Sequence, residues 1–189
     1  MLVEDAYSLV IRSYPGEVGR FYFPGTLLAL GKGEILKDAI FAMFDEQRKT
    51  YRMAEGIAYV LTHECDVEEA NQRIYNDDLL VCPLIPLEVV VEELEAELTE
   101  EQLTSFLSNL GARNVSRLIY FPPVRECFPF GAVMFLNRIT NAPVGVLRTR
   151  SSLICALTGF GLTEVESALH NHLLRPKSER LALMPANDD

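Results

Sequence analysis

The chain contains 189 residues, 49% of them hydrophobic, which is enough for one ordinary domain with a substantial core. A formal net charge of −10 argues against general nucleic-acid binding, because such binding depends on neutralising phosphates. The N-terminus has no signal-peptide pattern, and no apolar run approaches the roughly 20 residues of a membrane-spanning helix. Four widely spaced cysteines indicate reduced thiols rather than a disulfide framework. We therefore expect a cytoplasmic protein with no membrane partner.

The first quarter of the chain is predicted from turn residues and apolar spacing. Residues 1–35 contain apolar segments separated by Pro-Gly and Gly-Lys-Gly breaks, which favours two or three short strands. Residues 36–53 place apolar side chains at helical spacing before a polar run. We predict a short helix there, leading into a polar loop.

Two apolar, β-favouring runs form the predicted centre of the chain. Residues 57–66 have the sequence IAYVLTHECD, and residues 79–86 have the sequence LLVCPLIP. If the first run is extended as far as Cys65, Tyr59 and Leu61 share a face with His63 and Cys65. Asp66 followed by Glu69 has the form of a capping box, so a short helix is expected to begin there. A buried strand would thus carry several reactive side chains at its tip.

The second half of the chain contains further helix and strand signals. Thr99 and Gln102 form a capping box before an amphipathic, acidic helix near residues 99–110. Short strands are predicted over residues 117–121, 132–139 and 144–147, with turns that favour antiparallel pairing. The end is predicted to be helical, with one short helix over residues 151–157 and a second capped by Thr163 and Glu166.

These elements predict an α+β fold. We expect a small, curved antiparallel sheet or an SH3-like barrel, with one inserted acidic helix and a C-terminal helical pair. Residues 1–150 are assigned to the sheet or barrel core, including the inserted helix at about 99–110. Residues 151–189 are assigned to helices packed on that core within the same domain.

The strongest chemical signal is the segment THECD at residues 62–66. A cysteine thiolate needs a nearby base or positive charge to react at neutral pH, and His63 lies two residues from Cys65. His63, Cys65 and Asp66 are therefore the candidate catalytic residues. The structural alternative is that Cys65 is a buried packing residue and that Asp66 is a turn or cap residue.

A metal site at the same tip would use His63, Cys65 and one further ligand, either Cys82 or Cys127. The chain has neither a CxxC pair nor an HExxH motif, which are the stronger signatures of zinc sites. We therefore predict no bound metal and no cofactor.

Charge is distributed unevenly along the chain. Residues 1–110 carry a net charge of −13, whereas residues 111–189 carry +3. Glu92, Glu93 and Glu97 could dock a basic partner, and Arg148 and Arg150 could belong to a phosphate-facing patch. Both sets are also compatible with ordinary solvated surface. We expect a protein partner rather than a nucleic acid, for which only the basic C-terminal third would offer a surface, and the sequence leaves the oligomeric state open.

The segment VLTHECD followed by DDLLVCPLIPL resembles uncharacterised bacterial proteins in which a strand ends in a Ser/Thr, Gln/His, x, Cys, Asp pattern. Thr62, Cys65 and Asp66 match that pattern, and Pro83 matches the proline of the strand that follows it. The resemblance implies a mobile-element, toxin–antitoxin or phage-defence context. The two-strand core is also similar to the small barrels of MazF/PemK-type toxins, although this chain lacks their basic groove and their early Arg-Gly-Asp-type strand opening.

These observations favour a cytoplasmic binding or regulatory protein that docks a partner through its acidic surface. The alternative from another class is a hydrolase dependent on Cys65 and His63, or a metal-dependent nuclease. A structural subunit of a larger assembly is the third hypothesis. The enzymatic hypotheses require an accessible Cys65 near a base, and a Cys65 sealed among apolar side chains would exclude them.

Overall fold

A computed structural model describes residues 1–14, 18–23, 30–45, 48–67, 77–124 and 127–173. Within these ranges the fold is α+β, as predicted, with six α-helices and an eight-stranded antiparallel sheet that curves without closing into a barrel. The helices are Val3–Ser13 (α1), Glu64–Val67 (α2), Leu87–Glu95 (α3), Glu100–Gly111 (α4), Val144–Arg150 (α5) and Gly159–Leu173 (α6). The strands are Tyr22–Phe23 (β1), Glu34–Asp45 (β2), Thr50–Val60 (β3), Asp78–Pro86 (β4), Leu118–Phe121 (β5), Ala132–Phe135 (β6), Thr140–Pro143 (β7) and Ser152–Leu157 (β8).

The sheet is organised around β3 and β4. The strand order is β1-β8-β2-β3-β4-β6-β5, and β7 pairs with the first half of β4 while β6 pairs with its second half. Cys82 and Pro83 lie in the gap between these two partners. A proline cannot donate a ladder hydrogen bond, so its position where the partner strand changes avoids an unpaired amide. The Cys82 thiol fills part of the gap by donating to the Phe135 carbonyl at 3.3 Å.

Both faces of the sheet are covered. On one face α6 packs over a core that includes Tyr59, Cys82 and Phe121, and Val165 is the α6 residue buried in it. On the other face α1, α3 and α4 cover β5 and β6, while α5 covers the centre of the sheet. Burial on both faces explains why β4 is an almost continuous apolar run rather than an alternating one.

The N-terminal predictions were partly wrong, although one of the expected short strands is present as β1. Residues 3–13 form the amphipathic helix α1 rather than a strand, because Ala6 and Val10 are buried against α3 and α4. The helix predicted after residue 36 is the long strand β2. A β-bulge between Leu36 and Ala39 places two residues of β2 opposite one of β3. The bulge brings the side chains of Leu36 and Ala39 to the same face of the sheet. A strand therefore shows here the three-residue apolar spacing that is typical of a helix.

The predictions for the C-terminal part were also partly wrong. Residues 144–147 form helix α5 and residues 152–157 form strand β8, which is the reverse of the expectation. The C-terminal helical pair is therefore replaced by α5 and α6 on either side of a strand, and residues 174–189 lie outside the described ranges. The α6 cap is Thr158, whose Oγ1 accepts from the Gly161 amide at 3.1 Å, rather than Thr163. A short apolar run fits a helix or a strand equally well, and here pairing with β2 decides.

Other predictions are confirmed. The inserted helix is α4, and the capping box between Thr99 and Gln102 is present. Strands cover residues 118–121 and 132–135, although the second is followed by a 3₁₀ turn at Leu136–Arg138. None of the described helices has the length and apolar character that crossing a membrane requires.

The contact between α1 and α4 depends on a glycine. A methyl group at Gly111 would lie 2.1 Å from the Val10 carbonyl oxygen, whereas one at Gly145 in α5 would meet nothing within 4 Å. We expect Gly111→Ala to lower the free energy of unfolding by about 1–3 kcal/mol through overpacking. Gly145→Ala is the matched control and should leave stability unchanged or slightly raised. Urea unfolding measures both, and equal effects would contradict the proposed close approach of the two helices.

Candidate functional site

The segment that carries the candidate site begins where β3 leaves the sheet. The Leu61 amide still donates to the Leu80 carbonyl at 2.9 Å, but the Leu80 amide donates at 2.7 Å to Thr62 Oγ1. A side-chain oxygen therefore replaces the next backbone acceptor of the ladder. Strand pairing ends at this point, and the chain turns away before His63.

The turn is completed by helix α2, which begins at Glu64. The strand predicted to continue to Cys65 ends at Val60, and Asp66 lies within α2 rather than at its N-cap. Glu69, the other half of the predicted capping box, lies outside the described residues. A methyl group on Gly31 would lie 2.6 Å from Glu64 Cβ, so the loop before β2 packs tightly against the start of α2.

The turn brings His63, Glu64 and Cys65 together. All three side chains are exposed, and their potential ligand atoms lie within 4.8 Å of one another. In the part of the chain that the structure describes, no other three His, Cys, Asp or Glu side chains converge this closely. We refer to these three residues as the tip cluster.

Hydrogen bonds define the state of His63. Its Nδ1 accepts from the Cys65 amide at 3.2 Å, and its Nε2 lies 3.6 Å from Glu64 Oε1. An Nδ1 that accepts a hydrogen bond has no proton, so the neutral ring carries its proton on Nε2, facing Glu64. The Nδ1 lone pair is thus engaged by the Cys65 amide, and a hydrogen bond from the Cys65 thiol to Nδ1 would have to replace that contact.

The sequence-based candidates separate clearly in the structure. Cys65 is exposed, whereas Cys82 is buried in the core, and burial raises the pKa of its thiol to about 12. Cys127 is half-buried, and neither it nor Cys82 belongs to the tip cluster. The third potential ligand is Glu64, which strand alternation assigned to the opposite face from His63. Asp66 is half-buried in α2 and is not one of the three converging groups.

A buried carboxyl group lies beside the tip cluster. Glu34, the first residue of β2, is only 3% exposed, and its Oε2 accepts from the Gly31 amide at 3.0 Å. Burial raises the pKa of Glu34, the hydrogen bond from Gly31 opposes this, and the nearby charge of Glu64 adds to it. Lys32, from the same loop, pairs with Glu166 of α6 at 2.5 Å.

The proposed docking residues lie on two other parts of the surface. Glu92, Glu93 and Glu97 are exposed on α3 and the turn after it, and none forms an ion pair with another described residue. Arg148 and Arg150 are exposed in the last turn of α5, where positive charge complements the helix dipole. The interaction with the helix dipole thus explains the presence of Arg148 and Arg150 at this position without a bound phosphate.

Searches with this chain against protein-family models, curated proteins and solved structures find no match. The geometry of the tip cluster is therefore the basis for assigning a function. Sequence reasoning missed Glu64 as a member of that cluster, since the relevant signal is the consecutive His-Glu-Cys in a turn and not in a strand. It also missed a cavity beside α6, which is described below.

The raised pKa of Glu34 predicts a pH-dependent effect of its substitution. A carboxyl whose pKa is higher in the folded than in the unfolded state contributes its full stability below the unfolded pKa of about 4.3. That contribution is lost as the pH rises through the folded pKa. Glu34→Gln keeps an acceptor for the Gly31 amide and remains neutral, so we expect it to be more stable than wild type at pH 7.5. The difference should shrink towards pH 4.

Urea unfolding at several pH values tests this expectation. The control is Glu55→Gln, the same substitution at an exposed position of β3 where no buried carboxyl is replaced. A difference between Glu34→Gln and wild type that is the same at pH 4 and pH 7.5 would contradict the burial argument.

Proposed function

We propose that this protein is a metal-dependent hydrolase that holds a Zn²⁺-type ion at the tip cluster. The observation that carries the proposal is the convergence of one imidazole, one carboxylate and one thiol within 4.8 Å. Nitrogen, oxygen and thiolate ligands are those that zinc binds in proteins, whereas magnesium and calcium prefer oxygen ligands alone.

The number and exposure of the ligands support a catalytic rather than a structural role. Structural zinc sites are closed by four protein ligands, while catalytic sites use three and leave a position for water or substrate. The tip cluster has three potential ligands, and all of them are exposed. An ion held in this way would polarise a substrate oxygen and lower the pKa of a bound water molecule.

Energetics favour metal binding over a simple Cys65 nucleophile. Either role requires His63 to change its hydrogen bonding, which sacrifices the Cys65 amide bond to Nδ1 at a cost of about 1 kcal/mol. Zinc binding to the four ligands of a structural site releases on the order of 10 kcal/mol, and a fraction of this from three ligands would offset the cost. A hydrogen bond from the Cys65 thiol to the imidazole contributes about as much free energy as the amide hydrogen bond that it would replace, so it gives no net gain.

The surroundings of the tip cluster bear on the class of substrate. Glu34 and Asp66 lie nearby, and Lys32, from the loop that packs against α2, is already paired with Glu166. An acidic environment repels polyanions, which favours a neutral or cationic substrate over a nucleic acid. None of the four cysteines, all of which are described, forms a disulfide. This supports a reducing cytoplasmic compartment as part of the proposal.

Metal binding is tested directly with purified protein. We expect Zn²⁺ to bind with 1:1 stoichiometry in titration calorimetry, and Co²⁺ to give a thiolate charge-transfer absorption band. His63→Ala and Cys65→Ser should each weaken Zn²⁺ binding at least about tenfold, because each removes one of three ligands. Cys65→Ser should also abolish the cobalt–thiolate band.

His170→Ala is the matched control, since His170 is exposed on α6 and lies outside the tip cluster. Hydrolysis of a chromogenic ester, an amide and a phosphodiester should then be compared with and without Zn²⁺. Zinc binding that is insensitive to Cys65→Ser, or identical in His63→Ala and His170→Ala, would overturn the assignment of the site.

A second candidate function is the docking of a basic partner on the acidic surface. The observation in its favour is that Glu92, Glu93 and Glu97 are exposed and form no ion pair with other described residues. Their neighbour Glu95 pairs with the amino group of Met1. The sequence also offers no Lys or Arg between Arg73 and Arg113 that could neutralise this segment.

We expect the wild-type protein to bind a lysine-rich peptide with an affinity that falls as salt increases. Lysine substitutions at Glu92, Glu93 and Glu97 together should weaken binding at least about tenfold. The control carries the same change in charge at Glu55, Asp77 and Asp78, which are exposed elsewhere. Fluorescence anisotropy measures both, and equal losses in the two variants would indicate only a general charge effect.

A further inference from the structure

A cavity of about 340 Å³ lies on the side of α6 away from the tip cluster. Tyr14, the loop after α4, strand β5 and α6 form its walls, and the buried side chains of Phe21 and Ile119 form part of its floor. Glu164 faces this cavity, whereas Glu166 pairs with Lys32 beside the tip cluster. Residues two apart on a helix point about 200° apart, so the two sites are separate.

Arg113 has the most unusual conformation in the wall of this cavity. It follows the end of α4 with a φ of 62°, in the left-handed region that glycine or asparagine usually occupies after a helix. For an arginine this conformation costs on the order of 1 kcal/mol. Such strain often accompanies a functional side chain. A glycine would relieve the strain at this position but would remove the guanidinium.

The Arg113 guanidinium is held on two sides. It lies over the Tyr14 ring, 4.9 Å from the ring centroid, and its Nη1 forms an ion pair with Glu164 Oε2. The buried Tyr14 hydroxyl lies close to this guanidinium, which opposes the rise that burial causes in the pKa of Tyr14. This wall therefore places a guanidinium and a hydroxyl next to an apolar floor, which is typical of a small-molecule site.

We propose that this cavity binds a small organic carboxylate with an aromatic or branched aliphatic body. The ligand carboxylate takes the place of Glu164 on Arg113, because a guanidinium binds a carboxylate through two parallel hydrogen bonds. Arg113 is anchored by its backbone and by Tyr14, so Glu164 is the partner that moves. The apolar body of the ligand packs on Phe21 and Ile119. The volume is near the lower limit of roughly 300–1,000 Å³ for such sites, so the ligand is small.

Because the ligand carboxylate replaces Glu164 on Arg113, substitutions of these two residues should have opposite effects on ligand affinity. Arg113→Gln removes the anchor and should weaken binding at least about tenfold. Glu164→Gln removes the competitor and should strengthen binding severalfold. If the ion pair between Arg113 and Glu164 served only to stabilise the fold, both substitutions would lower stability. Neither substitution would then raise the affinity for a carboxylate.

The experiment titrates phenylacetate, 3-phenylpropanoate and 4-methylpentanoate into the protein, followed by amide chemical shifts. Arg117→Gln is the matched control, because Arg117 belongs to the same loop but does not line this cavity. Phenylacetamide, which lacks the charge, should bind at least tenfold more weakly than phenylacetate. Cys65→Ser should leave carboxylate binding unchanged, since the tip cluster lies on the other side of α6.

The proposal is supported if one carboxylate binds the wild type, Arg113→Gln weakens it, Glu164→Gln strengthens it and Arg117→Gln leaves it unchanged. It is overturned if none of the three carboxylates binds, or if phenylacetamide binds as well as phenylacetate. It is also overturned if Glu164→Gln weakens binding as Arg113→Gln does. Circular dichroism and thermal unfolding of each variant establish that these comparisons are made between folded proteins.

Discussion

The structure depends on one constraint, which is that β3 and β4 are buried on both faces where they pair. Residues 58–60 lie opposite residues 81–83, and all six are buried. A buried backbone amide must be hydrogen-bonded, and a slip of one residue would exchange the two faces, so the register is strongly specified. The first residues free of this constraint are Leu61 and Thr62. The tip cluster therefore stands immediately beyond the part of the sheet that is paired and buried on both faces, which is where a site of fixed geometry is best supported.

Helix α6 connects the two proposed sites without belonging wholly to either. Its apolar side, including Val165, completes the core on one face of the sheet. Glu164 and Glu166 leave the helix in opposite directions, one towards Arg113 and the other towards Lys32. Both ion pairs are partly exposed and contribute little to stability individually, about 0–1 kcal/mol each. The two ion pairs matter because they hold the Arg113 and Lys32 side chains in place beside the two sites.

Several features were predictable because they depend on a few neighbouring residues. The capping box at Thr99 needs only the side chain and backbone of residues 99–102, and it is present. The segment THECD was recognised from its residue types alone. The bulge in β2 was not predictable, since the three-residue spacing of Leu36 and Ala39 is the same as that of a helix face. Only pairing with β3 distinguishes the two.

The sequence by itself determined the α+β class, the two central apolar strands, the inserted acidic helix and the place where reactive side chains concentrate. These follow from local composition and spacing, which act over a few residues. Tertiary structure alone decided that Glu64, rather than Cys82 or Cys127, joins His63 and Cys65, because the turn after Thr62 reverses the alternation of the strand. It alone also brought Arg113 to Glu164, which lies 51 positions further along the chain. Contacts between distant residues depend on how the helices pack on the sheet, and no local pattern encodes them.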